Sequence, residues 1–416
     1  MIKKIIIAVV LVIAGNAYGQ EGGTVSPYSF FGIGTQQFRG GYESRAMGGM
    51  GLYSDSLHIN LLNPAQLGRL RYVAFTIGGG HSEVTLKEDN VEDNTSITTV
   101  DYLALGFPIS KKAGVTFGLV PFTSVGYDLD NSTSDAVNTF TGRGGVNRVF
   151  LAGGYNVGKG LYIGASVNYN FGNIQNETIR TQDEVELATR ERNRSDISGF
   201  TFELAAQYDR MISEKLELRT SVKYIPASDV KAENQRQISS VIFNNLGLVQ
   251  DIDIIDIPVV DTDFDFPSSI TLGAGIGEPK KWFVGAEYTN QKTSTFTNRG
   301  FVLEDVRFDD ASQVRLGGFY IPKYNSITSY FERVTYRAGF RYEQNGIEIG
   351  NEDINEFGIS FGVGLPAGRR LSNINFTFEY GQRGTTNSGL VEENFFNVGI
   401  SLSLNDNTWF RQTKFN

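Results

Sequence analysis

Cysteine is absent from the 416-residue chain, histidine occurs twice and methionine four times. Without cysteine the protein has neither disulfides nor thiolate metal sites, and no lipid-anchoring cysteine follows the N-terminal apolar run. After residue 19 no stretch approaches about 18 consecutive apolar residues, which excludes membrane-spanning helices. A β-barrel is not excluded, because its strands show only alternating hydrophobicity.

Glycine and aromatic residues are abundant instead, with 48 Gly, 30 Phe and 19 Tyr. This composition suits many strands and aromatic girdles better than it suits helices. The formal net charge is −9 and falls by two, to −11, without Lys3 and Lys4. Such an acidic balance argues against nucleic acid as a partner.

Residues 1–19 form a predicted secretory signal peptide. Lys3 and Lys4 precede an uninterrupted apolar run over residues 5–14, which is too short to span a bilayer. Ala17 and Gly19 supply the small-x-small pattern that signal peptidases cut, so cleavage is predicted near Gly19. The mature protein is therefore predicted to be exported.

The rest of the chain alternates apolar and polar side chains with a period of two. Over residues 161–171 the odd positions are apolar, whereas the even positions carry mostly polar or small side chains. The pattern fits strands with one face toward lipid and one toward a polar lumen. The predicted strands are 72–86, 96–109, 113–127, 145–157, 159–173, 197–210, 214–225, 268–277, 280–294, 312–323, 331–344, 354–366, 371–385 and 394–406. We therefore predict an all-β fold, a 14-stranded antiparallel transmembrane β-barrel in an outer membrane of the Gram-negative type.

The connections agree with this prediction, because outer-membrane barrels alternate short periplasmic turns with long outer loops. Short, often basic links follow strands 2, 4, 6, 8 and 12, and the link after strand 10 is somewhat longer. The longer candidates for outer loops are 128–144, 174–196, 226–267 and 295–311, and parts of them are candidates to extend the strands above the membrane. A soluble two-layer sandwich is the alternative. A sandwich would bury charged residues such as Arg219, Arg337 and Arg341 in its core, which costs free energy and therefore favours the barrel.

Residues 20–71 are rich in glycine and do not form a strand pattern. A barrel of 14 strands has a lumen too wide for its wall side chains to fill, so we predict that this segment is an N-terminal plug. The alternative is a periplasmic tail. Residues 72–416 are then the transmembrane barrel with its long extracellular loops.

Several short motifs resemble the FadL-type outer-membrane transporter family, and more closely its branch common in Bacteroidota. The motifs are Ser26-Pro27-Tyr28-Ser29 with Phe31-Gly32-Ile33-Gly34, Arg45-Ala46-Met47-Gly48-Gly49, Asn60 with Asn63-Pro64-Ala65, Pro121-Phe122, Pro267 before Gly273, and the ending Asn405, Asp406, Trp409 and Phe410. The resemblance implies a 14-stranded barrel with an N-terminal hatch, whose motif here is Asn60, Asn63, Pro64 and Ala65. It also implies passive uptake of hydrophobic molecules, with lateral exit through the wall near a kinked third strand.

Pro121 and Phe122 are the candidate lateral-gate region, because proline lacks a ladder N–H and weakens strand pairing. A kink without a gap is the alternative. Outside the membrane, Asp251, Asp253, Asp256, Asp261, Asp263 and Asp265 alternate with apolar residues and suggest an extended extracellular ribbon with one acidic face. Calcium ligation lacks a loop spacing to support it, so a solvated or partner-facing ribbon is favoured. The intervening isoleucines and valines are candidates to line a ligand groove or dock another protein.

Catalytic patterns are weak. Ser54, Asp55 and His58 lie close in sequence without any further element of a triad, so no catalytic residue, metal site or cofactor is predicted. Two functions remain: a transporter of hydrophobic small molecules, and a non-transporting subunit or shuttle of an outer-membrane secretion or assembly complex. The expected partners are outer-membrane lipid, a hydrophobic small molecule, lipid or detergent in the lumen, or other outer-membrane proteins.

Overall fold

The computed structural model describes residues 23–244, 249–295, 306–367 and 372–406. The predicted signal peptide and the motif residues Trp409 and Phe410 lie outside the described residues. No helix among the residues described is long and apolar enough to cross a membrane.

Fourteen antiparallel strands form a closed barrel, because the last strand pairs with the first barrel strand from Asp406 opposite Val73 to Glu392 opposite Lys87. The barrel strands are β2 (Val73–Glu88), β3 (Val91–Pro108), β4 (Ala113–Ser132), β5 (Ala136–Gly158), β6 (Leu161–Gln182), β7 (Ala188–Met211), β8 (Glu217–Ile225), β12 (Ser269–Glu278), β13 (Trp282–Gln291), β15 (Ala311–Tyr320), β16 (Thr335–Ile349), β17 (Glu352–Ala367), β18 (Ser372–Arg383) and β19 (Glu392–Asp406). The predicted fold class and strand number are confirmed.

Side-chain burial follows the predicted alternation. On β7, Phe200, Phe202 and Leu204 are exposed on the outer face, whereas Thr201 and Glu203 between them are buried. The same division holds on β6, where Val167 and Tyr169 point outward and Asn168 and Asn170 inward. Apolar side chains therefore face lipid, and the polar side chains face an enclosed lumen.

The predicted outer loops consist largely of strand. Strands β9 (Ser228–Phe243), β10 (Val249–Ile257) and β11 (Thr262–Phe266) occupy most of the region predicted as the longest loop, and β14 (Val306–Phe308) pairs with β16. Two prolines interrupt neighbouring strands of the wall side by side. Pro226 separates β8 from β9, and Pro267 separates β11 from β12. β9 pairs with the outer half of β7, so these strands extend the wall beyond the membrane.

The predicted acidic ribbon is strand, but its single acidic face is not formed. Asp251 lies opposite Val241 and Asp253 lies opposite Ser240, because Ile252 forms a β-bulge between them. A bulge adds one residue to one strand and thereby reverses the faces that follow. Asp251 and Asp253 consequently point to opposite faces of β10, while Asp263 and Asp265 belong to β11.

The N-terminal segment, residues 23–72, contains β1 (Thr35–Gln36), α1 (Tyr42–Arg45) and two 3-10 helices, Pro27–Phe30 and Pro64–Arg69. Further 3-10 helices are Thr293–Thr295, Phe331–Arg333 and Asn387–Gly389. The segment buries Ile59 and Leu67 with Tyr102 and Phe150 of the wall, and buries Met47 and Leu52 on Phe283 and Phe319 of other wall strands. It therefore contacts the inner face of the barrel on several sides.

Candidate functional site

The residues of the predicted hatch motif fix the local fold of the N-terminal segment. The Asn60 side chain donates from Nδ2 to the carbonyl of Gly51 at 2.7 Å, and its Oδ1 accepts from the backbone N–H groups of Leu62 and Asn63. Asn63 caps the following 3-10 helix by accepting from the N–H of Ala65 at 3.1 Å, and Pro64 occupies the first helical turn. Asparagine suits both turns because its short amide reaches the backbone two or three residues on.

The same motif binds the segment to the wall. Asn63 Nδ2 donates to Gln207 Oε1 of β7 at 3.0 Å, and both residues are buried. Gly154 and Gly164 of the wall lie so close to Pro64 that an added Cβ would come within 2.4 Å of the Pro64 carbonyl oxygen and 2.3 Å of the Pro64 carbonyl carbon, respectively. Glycine is required there because any side chain would occupy the space of the segment's backbone.

A network of arginine and glutamate side chains lies in the lumen on the opposite side; we call it the arginine–glutamate network. It comprises Arg341, Arg383, Glu356, Glu379 and Glu393 of the wall. Glu379 accepts from Arg341 Nε at 2.7 Å and from Arg45 Nε of the N-terminal segment at 2.7 Å. The Glu379 side chain is 2% exposed and the Arg45 side chain is 21% exposed, and the ion pair between them holds α1 against the wall.

A second charged cluster surrounds the predicted gate residue Phe122. Arg39 of the N-terminal segment and Arg148 of β5 both donate to Glu203 Oε1, at 3.3 and 3.1 Å. Their guanidinium carbons lie 5.4 and 4.1 Å from the centre of the Phe122 ring. Phe122 is therefore buried on the lumen side, where its ring contacts two cations and Phe266.

Pro121 lies where strand pairing changes. The ladder between β3 and β4 ends at Leu103 opposite Leu119, and Pro121 then begins a β-bulge against β5. Beyond this point β4 pairs with the N-terminal segment instead, because Thr35 lies opposite Ser124 and Gln37 donates its N–H to the Phe122 carbonyl at 2.9 Å. We call the separation between the outer halves of β3 and β4 the seam. It begins two residues before Pro121.

A lumen cavity of about 320 Å³ adjoins the seam. Its lining includes Pro121 and Ile97 at the seam, and also Arg39, Arg341 and Glu343. The cavity is thus lined by charged side chains as well as apolar ones.

The hydrogen bonds of Ser54, Asp55 and His58 stabilise the local fold and do not form a catalytic triad. The Ser54 hydroxyl donates to backbone carbonyls, and the His58 ring binds Asp55 at 2.9 Å. Burial alone would raise the pKa of Asp55, but the His58 ring and backbone N–H groups outweigh it and hold that pKa below its usual range. A nucleophile bonded to the imidazole is what a triad needs, and Ser54 does not supply it. Among the described residues, no group of three His, Asp or Glu side chains converges to hold a metal ion.

Solved structures with the same fold are outer-membrane channels. The toluene transporter TbuX of Ralstonia pickettii shares 17% identity over 89% of this chain and 99% of its own, with a TM-score of 0.58. The monoaromatic hydrocarbon channel CymD shares 15% identity over 88% of this chain and 97% of its own, with a TM-score of 0.57. A FadL homologue of Pseudomonas aeruginosa shares 11% identity over 90% of this chain and 98% of its own, with a TM-score of 0.54.

At these identities the likeness establishes a FadL-type fold, the fold of channels for hydrophobic compounds in the outer membrane. None of the neighbours compared above is described as an enzyme. No curated protein matches the chain. The model of the BamG family matches residues 1–416, so the chain is a member of the BamG family.

Proposed function

We propose that this barrel is a non-transporting subunit of an outer-membrane complex that secretes or assembles proteins. The observation that carries the proposal is the arginine–glutamate network, which fixes the N-terminal segment in a charged lumen. An apolar solute gains no free energy by displacing water from such a surface. The BamG match, which covers the whole chain, also supports the proposal. The hydrocarbon channels compared above carry less weight, because they share the fold at no more than 17% identity.

A docking face lies outside the membrane. Ile252, Ile254 and Ile255 of β10 are each more than half exposed, and Val260 beyond them is 83% exposed. These side chains belong to the wall extension above the membrane, where lipid does not cover them. Ile254 lies opposite Ser239 and Ile255 lies opposite Ile238, so these two side chains point to opposite faces of β10. Exposed apolar side chains in water favour association with another protein. We therefore propose that β10 contacts a partner subunit.

Replacing one of these isoleucines tests the proposal. We expect Ile254→Lys to release the partner proteins, because a buried ammonium without a counter-ion is strongly unfavourable at an apolar contact. The measurement is affinity purification from native outer membranes in mild detergent, followed by quantitative mass spectrometry of proteins present in stoichiometric amounts.

Ile327→Lys is the matched control. Ile327 is fully exposed in the connection between β15 and β16, at the opposite end of the barrel from β10. We expect it to keep the partner set. A wild-type protein that purifies without any stoichiometric outer-membrane protein would disprove the subunit role, and equal loss in both variants would remove β10 as the docking face.

Passive uptake of hydrophobic molecules is the second candidate, and the seam favours it. The outer halves of β3 and β4 do not pair with each other, and they flank the lumen cavity. β1 pairs with part of the β4 edge. A solute leaving sideways would enter lipid directly, which is the favourable direction for an apolar molecule. In this mechanism β1 must separate from β4 to open the path.

A disulfide across this pair tests the mechanism. Thr35 and Ser124 are directly paired across antiparallel strands, a spacing that a disulfide can bridge, and the native chain has no cysteine to interfere. We expect Thr35→Cys with Ser124→Cys to abolish uptake of radiolabelled toluene when oxidised and to restore it when reduced. Uptake that is equal in both states, or absent from the wild type, would rule out the seam as an exit.

A further inference from the structure

A small cavity lies between the N-terminal segment and the wall formed by β4–β8. Its volume is about 30 Å³, whereas a site for one water needs about 10–15 Å³. It is lined by Arg39 of the segment and by Arg148, Asn168, Glu203 and Lys223 of the wall. The space suits a monatomic ion or a water, and it is too small for a lipid head group.

The walls of this cavity carry more positive than negative charge. Arg39 and Arg148 share the single oxygen Oε1 of Glu203, and Lys223 Nζ donates to the Leu62 carbonyl at 3.1 Å. Arg148 and Glu203 are 4% and 7% exposed. Three cations thus face one carboxylate, an excess of two positive charges, and Arg39 and Lys223 also line the larger lumen cavity.

Another buried carboxylate, that of Glu287, is already occupied. Glu287 pairs with Arg315 at 3.7 Å and accepts from the backbone N–H of Gly51 with both of its oxygens. Burying cations without counter-charge is costly in a low-dielectric environment. The excess of positive charge around Glu203 is therefore a reason for an anion to bind there.

An unpartnered donor points to the same place. Asn168 is 2% exposed, and its Nδ2 has no hydrogen-bond partner, whereas its Oδ1 accepts from the Ser166 hydroxyl at 2.8 Å. The Ser166 hydroxyl can donate or accept, and in the arrangement in which it donates to Oδ1 the Asn168 amide N–H group is left without a partner, on a residue that lines the cavity. A buried N–H donor without a partner is rare in folded proteins and indicates a bound water or ion.

We propose that this cavity binds one small monatomic anion, chloride, between Asn168 Nδ2 and the cations Arg39, Arg148 and Lys223. The anion accepts the free amide N–H and offsets the excess charge. Arg39 belongs to the N-terminal segment and the other residues belong to the wall, so the anion also clamps the segment to the barrel.

Crystals of the full protein grown in sodium bromide test the proposal directly. We expect an anomalous bromide peak in the cavity, within hydrogen-bonding distance of Asn168 Nδ2 and Lys223 Nζ. Lys223→Met and Asn168→Leu should each abolish the peak, whereas Lys111→Met, in an exposed turn, should keep it. A wild-type cavity that holds only water, or no density, overturns the proposal and needs no variant.

A solution measurement runs in parallel. Replacing chloride by gluconate at equal ionic strength should lower the unfolding midpoint of the wild type and of Lys111→Met, because gluconate is too large for the cavity. The midpoint of Asn168→Leu should not depend on the anion. An equal shift in all three proteins would overturn a specific site, since a general salt effect would then explain it.

Discussion

Glu379→Gln is expected to destabilise the protein by about 3–5 kcal/mol, the usual cost of removing one partner of a buried ion pair. Glu379 accepts from Arg45, Arg341 and Asn397, and its loss leaves the Arg45 guanidinium without a carboxylate among its described contacts. The measurement is the free energy of unfolding from denaturant titration of the protein folded into lipid bilayers. Proteolysis of the N-terminal segment should increase as well, because Arg45 belongs to it.

Two further variants isolate the cause. Glu92→Gln removes the carboxylate of an exposed pair with Lys87 in the β2–β3 hairpin, so we expect no measurable change. Adding Arg45→Met to Glu379→Gln removes the uncompensated cation and should recover part of the lost stability. If Glu379→Gln unfolds at the same denaturant concentration as the wild type, the network does not hold the segment.

The strands could be predicted because the surroundings of each strand determine the pattern of apolar and polar residues in its sequence. Lipid on one side and a polar lumen on the other impose a period of two, as in residues 161–171, and β6 begins at Leu161, two residues after the predicted start at 159. The short turns could also be predicted from the sequence. The outer boundaries were wrong by many residues, because polar strand extensions such as the outer half of β7 have no lipid face to impose the period.

The contacts of the lumen could not be predicted from sequence. Arg45 and Glu379 lie more than 300 positions apart, and alternation shows only that Glu379 faces inward. The bulge at Ile252 shows the same limit, because the aspartate spacing alone predicted one acidic face. Pro121 gave a correct signal of local irregularity, but the pairing of β4 with β1 depends on a segment distant in sequence. The roles of these residues as hatch, gate or docking face stay predictions.

A FadL-type fold does not by itself select a function, so the proposed function rests on the chemistry of the lumen. A hydrocarbon path needs apolar walls, whereas a subunit needs only a rigid barrel and an exposed contact face. Here the segment is held by ion pairs and by close backbone packing against wall glycines. The strength of that packing is the remaining quantity to measure.

Gly154→Ala is expected to displace the hatch-motif turn from the wall. An added Cβ at Gly154 would lie 2.4 Å from the Pro64 carbonyl oxygen and 2.8 Å from the Gly68 nitrogen, and neither backbone atom can move alone. Such overpacking costs about 1–3 kcal/mol. We expect faster amide hydrogen exchange over residues 63–68 and, because the segment packs across the lumen, increased ion conductance in planar bilayers.

Gly153→Ala on the same strand is the matched control. Its added Cβ would meet Val115 at 3.8 Å, an ordinary contact, and it faces outward toward lipid. Both substitutions change the strand propensity of β5 equally, so only the contact with the N-terminal segment distinguishes them. Hydrogen exchange should therefore rise over residues 63–68 in Gly154→Ala alone. Equal exchange in the two variants would mean that the segment is not seated on the wall as described, and the lumen would then have to be closed by other contacts.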